Sequence, residues 1–239
     1  NVNDQKLNNV KILVASSVKA SVYIEIEGKG YKDSLKIEEN ELGELVLDSN
    51  IAFPIIYDFE SKHDPKSKIS KKSGIHVYSD SPIVLYVMIR FGYTTDGFLA
   101  IPTSSLGQKY IAMSYQDAKL RGVDKLFPPF TGITSAYDNN KINFTMGGGN
   151  EGNDYLTLES DIRINTGEST EIVLDKGDVW VAGVHDVEQD ISGSLITGNK
   201  PFSIVSGVHC ANFPLGNFWC DYTVNMELPV NQWEKNYFI

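Results

Sequence analysis

The chain has 239 residues, of which 41% are hydrophobic and 11% aromatic, enough to exclude disorder and to furnish two cores. A formal charge of −10 and a pI near 4.9 supply no basic surface for phosphate, which excludes nucleic acid and anionic lipid as partners. The longest apolar run, residues 83–89, is seven residues, against the roughly 18–20 of a spanning helix, so membrane insertion is not expected.

In chain order, residues 10–14 and 21–26 alternate apolar and polar, with Val22, Ile24 and Ile26 on one face, the pattern of half-buried strands. Residues 45–47 and 53–57 follow. Residues 61–73 (SKHDPKSKISKKS) are lysine-rich and read as an exposed connection. Residues 74–91 (GIHVYSDSPIVLYVMIRF) read as a hairpin of a short strand, a turn ending in Pro82, and a long buried strand, with Asp80 supplying turn chemistry. Residues 98–101 and 109–115 close the first half, and residues 116–130, with Pro128 and Pro129, read as a stiff link. Strands are expected again at 133–137, 141–146, 155–158, 171–174 and 179–184.

The central motif then recurs. Residues 193–210 (GSLITGNKPFSIVSGVHC) repeat 74–91 at an offset of 119. Glu44 to Asp48 recurs as Glu171 to Asp175, and Ile101, Pro102, Leu106 and Tyr110 recur as Leu228, Pro229, Trp233 and Tyr237, both at an offset of 127. A period this long is not a solenoid. It predicts an all-β chain of two tandem, internally repeated β-sandwich lobes of short antiparallel strands: a first lobe at 1–118, a linker at 119–130 and a second lobe at 131–239.

Constellations for catalysis are sparse. His63, His76, His185 and His209 are scattered, and His76 and His209 fall within expected strands, where a structural imidazole is expected. His185-Asp186 has no nucleophile elbow to serve. The run Asn150, Glu151, Asn153 and Asp154 offers oxygen ligands for calcium but departs from the calcium-loop spacing and reads as a polar turn. No cofactor or metal is expected. Asn143-Phe144-Thr145 is a glycosylation sequon, meaningful in a chain secreted by a eukaryote.

Cys210 and Cys220 close the segment CANFPLGNFWC. Zinc wants more ligands and dithiol redox chemistry a tighter spacing. A local disulfide is favoured over two buried thiols, and it implies an oxidising compartment. Phe213, Phe218 and Trp219 within this loop have two readings: anchors of a pre-organised binding loop, or a plug for the end of the second sandwich or its junction with the first, the latter being the expected one.

The ordered motifs SGIHVYSDSPIVLYV, DGFLAIPTSSLGQKYIAMSY, DKGDVW, ISGSLITGNKPFSIVSGVHC and CDYTVNMELPVNQWEKNYFI resemble the IgGFc-binding protein N-terminal domain family, from about Val10 to Ile239. The positions that carry the resemblance include Asp96, Leu99, Pro102, Thr103, Leu106, Gly107, Tyr110, Pro201, Ser206, Gly207, Cys210, Cys220, Asp221, Leu228, Pro229 and Trp233. Val230 stands where paired prolines are common, and Ser81 where Lys is commoner in the turn. The resemblance implies an extracellular, secreted or cell-surface, non-enzymatic module of a larger protein. Its role would be adhesive or structural, on partners that are protein or glycan at a surface or in matrix or mucus; Fc binding itself does not carry over. Recognition of glycan or protein by the aromatic loop is the alternative reading; self-association by lending the N-terminal segment, Asn1 to Asn9, to a neighbour is weighed against a monomer whose N-terminus frays, the latter being the expected one.

Overall fold

A computed structural model describes residues 8–54, 66–92, 94–116, 128–148, 154–183, 189–214 and 219–238. The chain is all-β. The first core lies between two sheets. One has the order β4 (Leu42–Asp48), β1 (Asn9–Ala15), β7 (Val84–Arg90), β8 (Thr95–Leu99); the other has the order β3 (Tyr31–Ile37), β2 (Ala20–Ile26), β6 (His76–Ser79). All these pairs are antiparallel. The alternation legible in β1 and β2 sends Val10, Ile12 and Val14, and Val22, Ile24 and Ile26, into one core with Ile37, Leu45 and Leu47. A helical turn, Ser49–Ala52, follows β4, capped by the Asp48 side chain, which accepts from the Asn50 N–H at 2.8 Å.

The second core has the same plan on one larger sheet system. β15 (Val179–Gly183), β10 (Pro129–Ser135), the C-terminal half of β16 (Leu195–Ala211) and β17 (Asp221–Met226) reproduce β4, β1, β7 and β8. β14 (Ser169–Leu174), β11 (Asn140–Thr145) and the N-terminal half of β16 reproduce β3, β2 and β6. Ile133, Ile142, Phe144, Trp180, Ile196, Phe202 and Ile204 fill this core, with Trp180 edge-on to Phe144 at 5.1 Å.

Three expectations need correction. The Asp80 to Pro82 turn does not join a hairpin: β6 pairs with β2 and β7 with β1 and β8, so the turn is a corner carrying one chain path from sheet to sheet. In the repeat the same corner is absorbed within a single long strand, β16, whose register along its neighbour slips between Thr197 and Phe202. The match of Glu44 to Asp48 with Glu171 to Asp175 is not structural, because β4 borders β1 whereas β14 borders β11, the counterpart of β2. Residues 66–70 are a strand rather than an exposed connection: β5 (Lys66–Ser70) pairs with β15 and with β12 (Tyr155–Leu158), which pairs with β13 (Arg163–Asn165). Its lysines point outward while Ser67 is buried.

Pairing also amends the division at 119–130, of which residues 119–127 lie outside the described residues. The cores are built across that boundary. β5 and β9 (Gly107–Ile111), both from the N-terminal half, pair into the second sheet system, β9 against β16. Conversely Tyr222 and Val224 of β17 join the first core. The Asp178 carboxylate, wholly buried, accepts from Lys71 Nζ at 2.6 Å and from the Lys72 and Asp175 N–H groups at 3.0 Å, fixing the β5 segment to the turn before β15. Burial alone would raise the carboxyl pKa, but these donors hold it below the usual range.

Candidate functional site

β16 and β17 end in a loop closed at its base by a disulfide between Cys210 and Cys220, with Cα atoms 5.0 Å apart. Cross-linking a loop of this length lowers the entropy of the unfolded chain and contributes about 3 kcal/mol on the chain-entropy account. Inside the closure the Asn212 side-chain amide donates to the Trp219 carbonyl at 2.9 Å. The Trp219 side chain is 82% exposed and Phe213 57% exposed, with the Phe213 ring 4.3 Å from that of Tyr115. Trp219 is therefore not buried as a plug, whereas Phe213 packs on Tyr115 of the N-terminal half, as a junction contact would. Phe218 lies outside the described residues.

Both feet of the loop are braced by aromatic residues of the first core. His209 precedes Cys210, and its Nδ1 lies 2.8 Å from the Pro128 carbonyl, with the ring 5.0 Å from Phe130 and 5.9 Å from Tyr222. Burial among these groups pushes its pKa down to about 4, although the Pro128 contact works in the other direction. On the other foot, Tyr222 meets Phe91 of the first core edge-on at 5.0 Å, and Phe91 stacks on Phe53 at 5.7 Å. Thr94 Oγ1 donates to the Asp221 carboxylate at 3.2 Å and accepts from the Tyr222 N–H at 2.9 Å. An aromatic series of the first core, Phe130, Tyr222, Phe91 and Phe53, thus lies at the base of the loop.

A buried carboxyl lies just past the end of β17. Glu227 is buried near Ser206, whose hydroxyl is 3.1 Å from that of Thr131. Burial pushes the Glu227 carboxyl up to about 7, opposed in part by the Met113 N–H and the Ser206 hydroxyl. Neither Tyr115, Tyr222 nor Glu227 was singled out from sequence. The spacing of aromatics around the cysteines offered a signal for Tyr222, while Tyr115 and Glu227 gave none.

The other candidates are not brought together. His63 and His185 lie outside the described residues, as do Asn150, Glu151 and Asn153. Asp154 is buried, with its carbonyl accepting from the Thr166 N–H at 3.0 Å. His76 lies exposed on β6, stacked 5.0 Å from Tyr78, and its pKa is lowered first by partial burial and then by Lys176. Asn143 is exposed on β11, its amide 3.4 Å from Thr145 Oγ1. Among the described residues, no group of three or more His, Cys, Asp or Glu is placed to hold a metal ion, and no helix is long and apolar enough to cross a membrane.

Compared with known proteins, the chain matches the family described as IgGFc binding protein over residues 96–239, more than half its length. The match begins within β8 rather than near Val10, and it takes in β9 and all of the second core except β5. No curated protein and no solved structure matches the chain.

Proposed function

The chain belongs to the IgGFc binding protein family, and we propose that it is a non-enzymatic extracellular interaction module, adhesive or structural in role, that engages protein partners through the disulfide-bonded loop. The observation that carries this reading is Trp219: a large apolar ring held 82% exposed on a cross-linked loop. Exposing an indole forgoes about 2–3 kcal/mol of burial, which a partner recovers on docking. The cross-link and the aromatic base reduce the ordering entropy that binding must overcome. Trp and Tyr anchors dominate interface energetics, and Phe213, 57% exposed beside Tyr115, adds apolar surface on the same loop. A disulfide and family membership both favour a secreted or cell-surface home.

The same flat rings also suit stacking on a sugar face, so glycan is the second class of partner. The test immobilises immunoglobulin Fc, a purified mucin and a glycan array, and compares the native chain with Trp219→Ala. Binding to any of them that falls more than tenfold in the variant supports the reading, and the surface that is bound separates protein from glycan. Binding that the substitution leaves unchanged places recognition elsewhere. Turnover of a peptide, ester or glycan substrate, abolished by one substitution, overturns the non-enzymatic part.

A further inference from the structure

The two cores differ at one edge. The N-terminal half of β16 is flanked by β11 on one side and β9 on the other, whereas β6, its counterpart, pairs only with β2 among the described residues. Under β9, Ile196, Phe202 and Ile204 are fully buried. Their counterparts in the first core, Val77, Ile83 and Leu85, remain half-buried. Among the described residues, the outer edge of β6 is thus unpaired and borders an incompletely covered core, a combination that sheets usually avoid.

The chain also carries a second version of the strand that does the covering. Residues 101–111 and 228–238 correspond at an offset of 127, and their local hydrogen bonds coincide. Ser105 donates to Pro102 and Gln232 to Pro229, both at 2.8 Å; Leu106 donates to Thr103 at 3.3 Å and Trp233 to Val230 at 3.2 Å. The Gly107 N–H donates to the Tyr110 hydroxyl, and the Glu234 N–H to the Tyr237 hydroxyl, each at 2.9 Å. There the two segments part. The Tyr110 hydroxyl goes on to donate to the Phe202 carbonyl at 2.6 Å, with its ring buried 4.8 Å from that of Phe202. Tyr237 is 66% exposed and Phe238 entirely so.

We infer that residues 233–238 are a donor strand that adds to the free edge of β6 in a second copy of this chain, as β9 adds to β16, joining copies head to tail. The register of β9 on β16, carried across, sets Phe238 opposite His76, Tyr237 opposite Val77 and Asn236 opposite Tyr78. Tyr237 then covers Val77 and Ile83. Charge agrees with this placement. Gln108 donates to the Asn199 carbonyl at 3.0 Å; in the donated strand Lys235 takes the place of Gln108, and Asp80 takes the place of Asn199. Asp80 and Asn199 are true counterparts, since their side chains accept from the Ser21 N–H at 2.9 Å and the Lys141 N–H at 2.8 Å. Glu234 replaces Gly107, whose position is crowded by Pro229, so pairing runs from Lys235 onward. Donor and acceptor are different surfaces, so the contact does not close on itself and propagates. The inference is independent of what the disulfide loop binds.

Two experiments test it with the full chain. Sedimentation velocity across a concentration series is expected to show dimers and longer species, with Tyr237→Ala weakening association more than tenfold. Tyr237 is exposed, so the variant keeps its fold, checked by an unchanged unfolding midpoint. Single variants Tyr78→Cys and Asn236→Cys, mixed under mild oxidation, are expected to cross-link into a dimer, whereas Tyr78→Cys mixed with Trp233→Cys is not. A chain that stays monomeric at hundreds of micromolar overturns the inference. So does a Tyr78→Cys/Asn236→Cys double variant that cross-links only within one chain, because the tail would then cover its own β6.

Discussion

Glu227→Gln removes a carboxyl that the fold buries beside Ser206 and keeps an amide of the same shape. The carboxyl is pushed from its ordinary 4.5 up to about 7. At 1.36 kcal/mol for each tenfold change in proton affinity, the difference caps the cost of ionising Glu227 in the folded chain at about 3 kcal/mol; residual screening by solvent brings this to about 1–3 kcal/mol. The sign follows from which state holds the proton. With a folded pKa above the unfolded one, the stability is fully present below pH 4.5 and is lost as pH rises through about 7. Urea denaturation from pH 4.5 to 8.5 is the assay. The native chain should lose about 1–3 kcal/mol relative to the variant over that span, the two converging at the acid end and the variant being more stable at pH 8. Parallel profiles for the two proteins would refute the burial argument.

Other substitutions test separate contacts. His209, held down to about 4, contributes stability that is present above pH 6.5 and lost as pH falls toward 4, so His209→Gln should flatten the acid limb of the same titration. Tyr110→Phe leaves the Gly107 N–H and the Phe202 carbonyl without their shared hydroxyl and should cost about 1–3 kcal/mol in urea denaturation. Replacing Cys210 and Cys220 together by Ser should lower stability by about 3 kcal/mol while leaving the far-ultraviolet circular dichroism unchanged.

The sequence revealed strands wherever burial alternates along one face, as in β1 and β2, and it revealed the repeat wherever both copies keep the same corner. It did not reveal that the corner at Pro82 joins two sheets, because Ser, Asp and Pro give the same local turn whether or not the flanking strands pair; the choice is made by β1, β2 and β8. β5 was hidden because its inward residues are Ser67 and Ile69, too little apolar surface to show against four lysines in residues 66–72. The loop was legible as a unit from Cys210 and Cys220. The exposure of Trp219 was not, since an indole among Pro, Gly and Phe suits a plug as well as an anchor. The expectation of strand exchange by Asn1 to Asn9 falls on residues of which only Asn8 and Asn9 are described, whereas the C-terminal segment carries the geometry.

The central structural claim is that the two repeats form one interlocked unit, with β5 and β9 completing the second core and β17 completing the first. Splitting the chain within residues 117–127 tests it most directly. Separately expressed halves should each lack a cooperative unfolding transition and should recover one on mixing, because the second half alone loses Tyr110 and Ala112 from its core and the first loses Tyr222 and Val224. Two halves that each unfold cooperatively on their own, at the midpoint of the intact chain, would contradict it.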